Sequence, residues 1–222
     1  MAKIYGKAPE KAVYSGLHGD FKKNTEIVAP KGHFGIVKQE GNISTCKDFT
    51  GSIKLNKKEV PYLKTPFQFG KVKGVRVFFY PEQYAGTFTA TERTFTAVNG
   101  KTANISLKVF YEVKVQSKRV YAAIFNSTYN RNYFDKEGTL ISATSFNYLI
   151  VDYILGKGKY AYDKAVPVCF CRGAAHTSEI GKPKHIIELE KNGEMAVKEF
   201  FNNIGYNVIS ASVRITNLHF EN

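Results

Sequence analysis

The last thirty residues of the chain constrain its fold more than any other stretch. From Met195 to Ile204, apolar residues recur at helical spacing and leave one face to be buried. Gly205 follows at a position where a glycine commonly ends a helix. From Ile209 to Thr216, apolar and polar residues alternate, which indicates a half-buried strand. The sequence therefore predicts a helix, a glycine stop and a strand as one closing unit.

Strand signals dominate the first half of the chain. Gly41-Asn42 lies between two β-prone stretches, 35–39 and 43–45, and predicts a tight hairpin. Val75–Tyr80 is apolar apart from one arginine, as in a strand buried on both faces. A further strand alternates clearly and places five apolar residues on one face: Ile105, Leu107, Val109, Tyr111 and Val113. We expect an antiparallel meander here.

The second half changes to helical spacing. Residues 139–155 predict an amphipathic helix, capped at Asp135 or Thr139 and ended by Gly156. A long loop is predicted at 167–184, and a second helix from Lys184 to Asn203.

This order of elements predicts an α+β fold, in which an antiparallel β-rich half precedes a helix–loop–helix–strand unit. We expect an N-terminal extension over residues 1–25, a β-rich subdomain over 26–118 and an α/β subdomain over 119–222.

Composition places the chain among globular proteins of the cytoplasm. Of its 222 residues, 43% are hydrophobic, which is enough for a sizeable core. Three cysteines are too few and too uneven for a disulfide framework, so a reducing compartment is expected. The first residues lack the apolar region of a signal peptide, and no apolar run is long enough to span a bilayer. We expect a soluble cytoplasmic protein that contacts membranes only peripherally.

The charge is strongly positive and concentrated near the beginning. The formal net charge is +13, and residues 1–74 hold 14 lysines, no arginine and 6 acids. Lysine without arginine suits diffuse attraction to anions better than bidentate recognition. Anionic lipid headgroups, nucleic acid, or solvent alone are the alternatives for this surface.

Eight lysines of this basic region are the candidate anion- or lipid-binding residues, and each would add about 1 kcal/mol of attraction to an anionic leaflet. They are Lys22, Lys23, Lys31, Lys54, Lys57, Lys58, Lys71 and Lys73. Five aromatic residues are candidates either for insertion into an interface or for the core, which is the usual location of such side chains. They are Phe67, Phe69, Phe78, Phe79 and Tyr80.

No set of residues predicts catalysis, a metal or a cofactor. Cys169, Cys171 and His176 fall short of the four ligands of a structural zinc site, and a short buried strand explains the cysteines better. Lys157 and Lys159 lie among glycines but lack the phosphate-loop pattern. The acidic residues of the second predicted helix, Glu188, Glu190, Glu194 and Glu199, are expected to be solvated. We therefore expect a protein that is not an enzyme.

Three stretches resemble the SPFH domain of stomatins, prohibitins and flotillins, also called the band 7 domain. Pro30–Ile43 is similar to the opening hairpin of that family, and Thr91–Val113 to its threonine-led passage into a long strand. Glu194–Phe220 resembles its closing helix and strand. The resemblance covers residues 26–222 and rests on apolar patterns in the right order.

This resemblance implies a scaffold that self-associates and organises membrane patches or modulates a membrane protease. The chain departs from the family because it shows neither a membrane anchor nor a coiled coil, and it ends at Asn222. We therefore expect a minimal form, such as a phage would encode. A homo-oligomer is expected, with an anionic membrane, a protease or another acidic protein as partner. The alternatives are a basic nucleic-acid-binding protein and a viral or phage structural component.

Overall fold

The structure is a computed structural model of the 222-residue chain. It describes residues 2–9, 14–40, 46–64, 70–96, 102–116, 133–142, 145–155 and 183–220. In chain order its elements are β1 (Lys3–Tyr5), β2 (Ser15–Lys22), β3 (Glu26–Val28), β4 (His33–Gln39), β5 (Cys46–Thr50), β6 (Ser52–Lys54), β7 (Lys71–Pro81), β8 (Gln83–Thr96), β9 (Thr102–Val115), β10 (Tyr133–Phe134), β11 (Leu140–Ser142), α1 (Phe146–Ile154), α2 (Pro183–Asn203) and β12 (Tyr206–Phe220).

The chain divides into two compact units. Residues 1–82 and 129–145 form the first unit, and residues 83–128 and 146–222 form the second. Four sheets are present in the described residues, three of them antiparallel, and α1 and α2 are the helices. The fold is therefore a mixed α+β fold in which strands dominate. No helix in the described part of the chain combines the length and the apolar character needed to cross a membrane.

The first unit contains a four-stranded antiparallel sheet in the order β2-β7-β4-β5. A three-stranded sheet, β1-β3-β6, contains the parallel pair β1 and β3. Strands β1 and β2 both lie within the stretch assigned to an N-terminal extension. Their pairing with β3 and β7 makes them part of this unit, because partners distant along the chain stabilise these two weakly periodic segments as strands.

One core joins these two sheets. Ile27 of β3 and Ile53 of β6 pack in the same cluster as Val37 of β4 and Val77 of β7. The prediction that Val75–Tyr80 is buried on both faces is confirmed, since every residue of this run except Arg76 is inaccessible to solvent. Strand β7 is thus the buried centre of the unit.

The hairpin predicted at Gly41-Asn42 falls partly on undescribed residues. Its arms are β4 and β5, which pair antiparallel, so the second arm is Cys46–Thr50. The predicted arm at 43–45 and the turn itself lie outside the described residues.

The helix predicted over residues 139–155 is wrong in its first half. Thr139 and Leu140 belong to a β-hairpin instead, because Asp135 Oδ1 accepts the backbone N–H of Thr139 at 2.7 Å and closes a turn at Gly138. Strand β11 follows that turn and pairs with β10. The helix begins only at Phe146 and ends at Ile154.

The second unit is an antiparallel sheet in the order β12-β9-β8, packed against α1 and α2. The predicted apolar face of β9 is confirmed, because all five of its members are buried. Helix α2 ends at Asn203, as the sequence predicted. Gly205 then adopts a φ of +89°, which allows the chain to turn into β12. The predicted order of helix, glycine and strand is therefore confirmed. The predicted burial of Met195 and Ile209 is wrong, since both side chains are exposed.

Aromatic rings fill the core of this unit. The ring of Phe146 on α1 contacts Tyr111 of β9, Phe201 of α2 and Tyr206 of β12. Tyr111 donates its hydroxyl to Asn147 Oδ1 at 3.2 Å. The buried Tyr206 hydroxyl has no hydrogen-bond partner among the described residues. Burial raises the pKa of both hydroxyls well above that of a free tyrosine.

Stability should fall at alkaline pH because of these tyrosines. A raised pKa in the folded state means that the unfolded chain releases protons first, so stability is lost as pH rises above about 10. We expect Tyr206→Phe to leave the free energy of unfolding unchanged or increased by up to about 1 kcal/mol at pH 7, because no hydrogen bond is lost. The same substitution should also reduce the alkaline loss of unfolding free energy, by up to about 1.4 kcal/mol per pH unit above pH 10.

Urea unfolding at pH 7, 10 and 11 measures both effects. Tyr148→Phe is the matched control, since Tyr148 lies on α1 of the same unit with 62% of its surface exposed. An alkaline loss that is equal in the wild type and in Tyr206→Phe would contradict this account.

Candidate anion-binding site

The structure brings six of the eight predicted lysines to one end of the first unit. These six residues, called here the lysine cluster, are Lys22, Lys23, Lys57, Lys58, Lys71 and Lys73. All six are exposed. None of them forms an ion pair with another described residue. The cluster is therefore a patch of positive charge that the described residues do not neutralise.

The centre of the lysine cluster is a cross-strand pair of like charges. Lys22 of β2 lies directly opposite Lys71 of β7 in the antiparallel register. Side chains in such positions have Cβ atoms about 5 Å apart, and like charges there destabilise a sheet by a few tenths of a kcal/mol or more. Lys73 lies two residues further along β7 and is also exposed. An anion bound here would relieve the repulsion.

Two turns bring the remaining lysines to the same end. The backbone N–H of Lys23 donates to Gly70 O at 2.6 Å, next to the start of β7. Asn24 accepts a side-chain hydrogen bond from Asn56 at 3.0 Å, and its own N–H donates to Leu55 O. Asn56 Oδ1 then accepts the N–H groups of Lys58 and Glu59, which fixes the turn that carries Lys57 and Lys58.

Two of the predicted lysines do not belong to the cluster. Lys54 is half-buried and lies opposite Glu26 in the β3–β6 pair, where an acidic group already faces it. Lys31 lies beside Gly32, whose carbonyl accepts the N–H of Glu82 just after β7 ends. Since Glu82 is eleven residues beyond Lys71, Lys31 lies about 35 Å from the cluster along an extended strand.

A β-bulge separates the lysine cluster from the middle of the sheet. The register passes from Gly19↔Val75 to Phe21↔Val72, so that Asp20 alone faces Lys73 and Gly74. Gly74 adopts a φ of +61°, which glycine accepts without steric cost. Its N–H donates to Asp20 Oδ1 at 2.9 Å.

An open pocket of about 890 Å³ lies at this bulge. Its polar lining residues are His18, Asp20, Gln39, Glu40, Lys64 and Lys73. Sequence reasoning named only Lys73 of these six, because the others come from separate strands and loops and form no local motif.

Gln39 fixes the two lysines of the pocket. Its buried side-chain amide donates to Lys64 O and to Lys73 O, both at 2.9 Å, and accepts the N–H of Lys64 at 2.7 Å. One side chain thus joins Lys64, which is 25 residues away in sequence, to Lys73, which is 34 residues away. The positions of Lys64 and Lys73 depend on it.

Glu40 closes another side of the pocket in a network of charged groups. Its Oε1 accepts from Arg76 Nε at 3.1 Å and from Arg76 Nη2 at 2.5 Å, and it lies 3.3 Å from His18 Nε2. The ring of Phe134 contacts the imidazole of His18 at an interplanar angle of 53° and lies under the guanidinium of Arg76. The guanidinium of Arg76 therefore holds Glu40 through one carboxylate oxygen, which also faces His18.

The remaining sequence candidates have different outcomes. Phe78, Phe79 and Tyr80 are fully buried, so the core alternative holds for them. Phe67 and Phe69 lie outside the described residues, as do Cys169, Cys171 and His176. Within the described ranges, no three histidine, cysteine, aspartate or glutamate residues are grouped as metal ligands.

One acidic residue of α2 has a structural role that the sequence did not indicate. Glu190 was expected to be solvated, but its Oε2 accepts from Arg214 Nη1 at 2.7 Å. Its Oε1 accepts the backbone N–H of Ile215 at 2.9 Å, on the outer edge of β12. Glu190 therefore ties α2 to the last strand.

Comparison with models of protein families finds no match to this chain, and comparison with curated protein sequences finds none either.

Replacing Gln39 should destabilise the first unit. Gln39→Met keeps the length of the side chain but removes three hydrogen bonds to backbone groups in a buried position, so we expect a loss of about 2–4 kcal/mol in unfolding free energy. Urea unfolding measures this loss. Gln83→Met is the control, since Gln83 is exposed, and it should cost less than about 1 kcal/mol. Equal losses for the two variants would show that the Gln39 contacts do not hold the pocket together.

Proposed function

We propose that this chain is a non-enzymatic scaffold of the SPFH type, which self-associates and binds an anionic membrane surface through the lysine cluster. The observation that carries the proposal is the Lys22–Lys71 pair, because two exposed lysines occupy directly opposite positions on adjacent strands and neither forms an ion pair with a described residue. Such an arrangement is stabilised when an anionic surface lies against it.

The composition of the lysine cluster favours lipid over nucleic acid. All six cations are lysines, and reading of bases relies mainly on the fork of arginine or the amides of asparagine and glutamine. Six lysines near a leaflet would contribute up to about 6 kcal/mol at low salt. An attraction of this size supports reversible, peripheral binding that weakens as salt screens the charges. An acidic protein, such as a membrane protease that the scaffold modulates, is the second partner that fits this charge.

The order of the later elements supports the SPFH proposal. A long hairpin, β8 and β9, precedes the helices, and a glycine separates α2 from a strand that pairs back onto β9. This is the order that the family resemblance implies. In a phage, such a scaffold would bind the membrane or the membrane protease of its host.

Binding to anionic vesicles tests the membrane part of the proposal. The wild type should sediment with phosphatidylserine vesicles at low salt and be released at about 0.5 M salt, where the Debye length falls below about 5 Å. Lys22→Gln/Lys71→Gln/Lys73→Gln should weaken binding by about a hundredfold, since each lysine contributes about 1 kcal/mol.

The control removes three exposed lysines elsewhere in the same unit. Lys7→Gln/Lys31→Gln/Lys47→Gln changes the net charge equally but leaves the lysine cluster intact. It should bind within threefold of the wild type. If the two triple variants weakened vesicle binding equally, the change in net charge alone would explain the weakening. That result would contradict a specific role of the lysine cluster. Tighter binding to single- or double-stranded nucleic acid than to vesicles, at equal salt, would favour the nucleic-acid alternative.

The proposed self-association would use the strand edges of the second unit. Strands β8 and β12 have 14 and 15 residues and border their sheet, so each leaves a long edge without a pairing strand in the described residues. The N–H of Ile215 points to this outer edge, where it meets Glu190. Ala211 precedes it by four residues within one unbroken register, so its N–H points the same way.

Ala211→Pro should therefore weaken self-association without breaking the β9–β12 ladder, because proline removes only an outward donor. We expect at least a fivefold weakening, the equivalent of one lost hydrogen bond of about 1 kcal/mol. Mass photometry across a dilution series measures it, with Ser210→Ala as the control. A wild type that stays monomeric at every concentration would contradict self-association.

A further inference from the structure

The pocket at the β2–β7 bulge carries two kinds of polar group. Lys64 and Lys73 supply ammonium groups, while Asp20 and Glu40 supply carboxylates. A simple anion would meet both attraction and repulsion here, and so would a simple cation. The ligand that matches the pocket must present negative charge at one end and hydrogen-bond donors at the other.

We infer that this pocket binds a phosphorylated polyol, such as an inositol phosphate or a sugar phosphate. Its phosphate would contact Lys64 and Lys73, and its hydroxyl groups would donate to the two carboxylates. This inference goes beyond the proposed function, which requires only diffuse attraction of lysines to an anionic surface.

The backbone at the phosphate end is fixed before any ligand arrives. Gln39 binds the backbone of both Lys64 and Lys73, so the two backbone positions are held relative to each other by one buried amide. Only the exposed lysine side chains are left to be ordered when a ligand binds, which lowers the cost of binding. His18 borders the same pocket and can donate a further hydrogen bond.

The polyol end has free acceptor capacity. Asp20 uses Oδ1 to accept the N–H of Gly74, and Glu40 uses Oε1 to accept from Arg76. Their second oxygens, Oδ2 and Oε2, accept no hydrogen bond from a described residue. Carboxylate oxygens held in this way are strong acceptors for hydroxyl groups.

The size of the pocket agrees with this class of ligand. A volume of about 890 Å³ lies at the upper end of the range of small-molecule sites, which is about 300–1,000 Å³. Inorganic phosphate would fill only a small part of it. A volume of this size holds a six-membered ring that carries a phosphate and several hydroxyls.

Isothermal titration calorimetry of the full chain tests the inference with soluble probes. Inositol 1,4,5-trisphosphate and glucose 6-phosphate should each bind at least tenfold more tightly than inorganic phosphate or unphosphorylated myo-inositol. Inorganic phosphate that binds as tightly as the phosphorylated polyols would overturn the inference, and so would the absence of any binding.

Two variants separate the two ends of the pocket. Lys64→Gln should weaken both phosphorylated probes at least tenfold. Asp20→Asn keeps an oxygen that accepts from Gly74, and it should reduce the preference for a phosphorylated polyol over inorganic phosphate at least threefold. Lys47→Gln, on β5, is the control and should change neither value. Unchanged binding in both Lys64→Gln and Asp20→Asn would place the ligand elsewhere and overturn the inference.

Binding to vesicles distinguishes the two sources of such a ligand, which are a lipid headgroup and a free phosphorylated polyol. Tighter binding to vesicles with phosphatidylinositol 4,5-bisphosphate than to phosphatidylserine vesicles of equal charge identifies a lipid headgroup as the ligand. Equal binding to both vesicles, together with binding of the soluble probes, identifies a free phosphorylated polyol. Loss of phosphatidylserine binding alone would count against the proposed scaffold function and leave this inference intact. Failure of the soluble probes to bind would overturn this inference and leave the proposed scaffold function intact.

Discussion

The antiparallel pairing of β7 with β2 on one side and β4 on the other is the constraint on which the first unit depends. This register places Lys22 opposite Lys71 and aligns Glu40 with Gly74. Because side chains alternate along a strand, a shift of one residue would move the lysines to the core face. Burial of Val72, which lies between the exposed Lys71 and Lys73, excludes that shift. The apolar core therefore determines where the charges lie.

The bulge and Gln39 add what regular pairing does not provide. A regular ladder would place Lys73 and Asp20 directly opposite each other, where they would form an ordinary exposed ion pair. The extra residue, Gly74, directs the Asp20 carboxylate to a backbone N–H instead. Gln39 then holds the backbones of Lys73 and Lys64, which both line the pocket. Polar side chains thus shape a site within a sheet that apolar side chains stabilise.

The sequence predicted local patterns well and non-local geometry poorly. The apolar face of β9, the buried β7 and the turn at Gly205 follow from periodicity and one glycine, and the structure has all of them. The helix over 139–155 failed in its first half because the Asp135 turn and pairing with β10 override helical spacing. The lysines could be named from composition, but only the register shows that Lys31 lies apart. The sequence gives no signal for the roles of Gln39 and Glu190, because each side chain binds residues that are distant along the chain.

Hydrogen–deuterium exchange of the full chain on phosphatidylserine vesicles tests most directly whether the lysine cluster is the membrane-binding surface. The account predicts new protection in the turns that carry Lys23 and Lys57–Lys58 and at the start of β7, with none around Lys31 or in β9. Protection that is greatest around Lys31 or in the second unit, with none in those two turns, would contradict it.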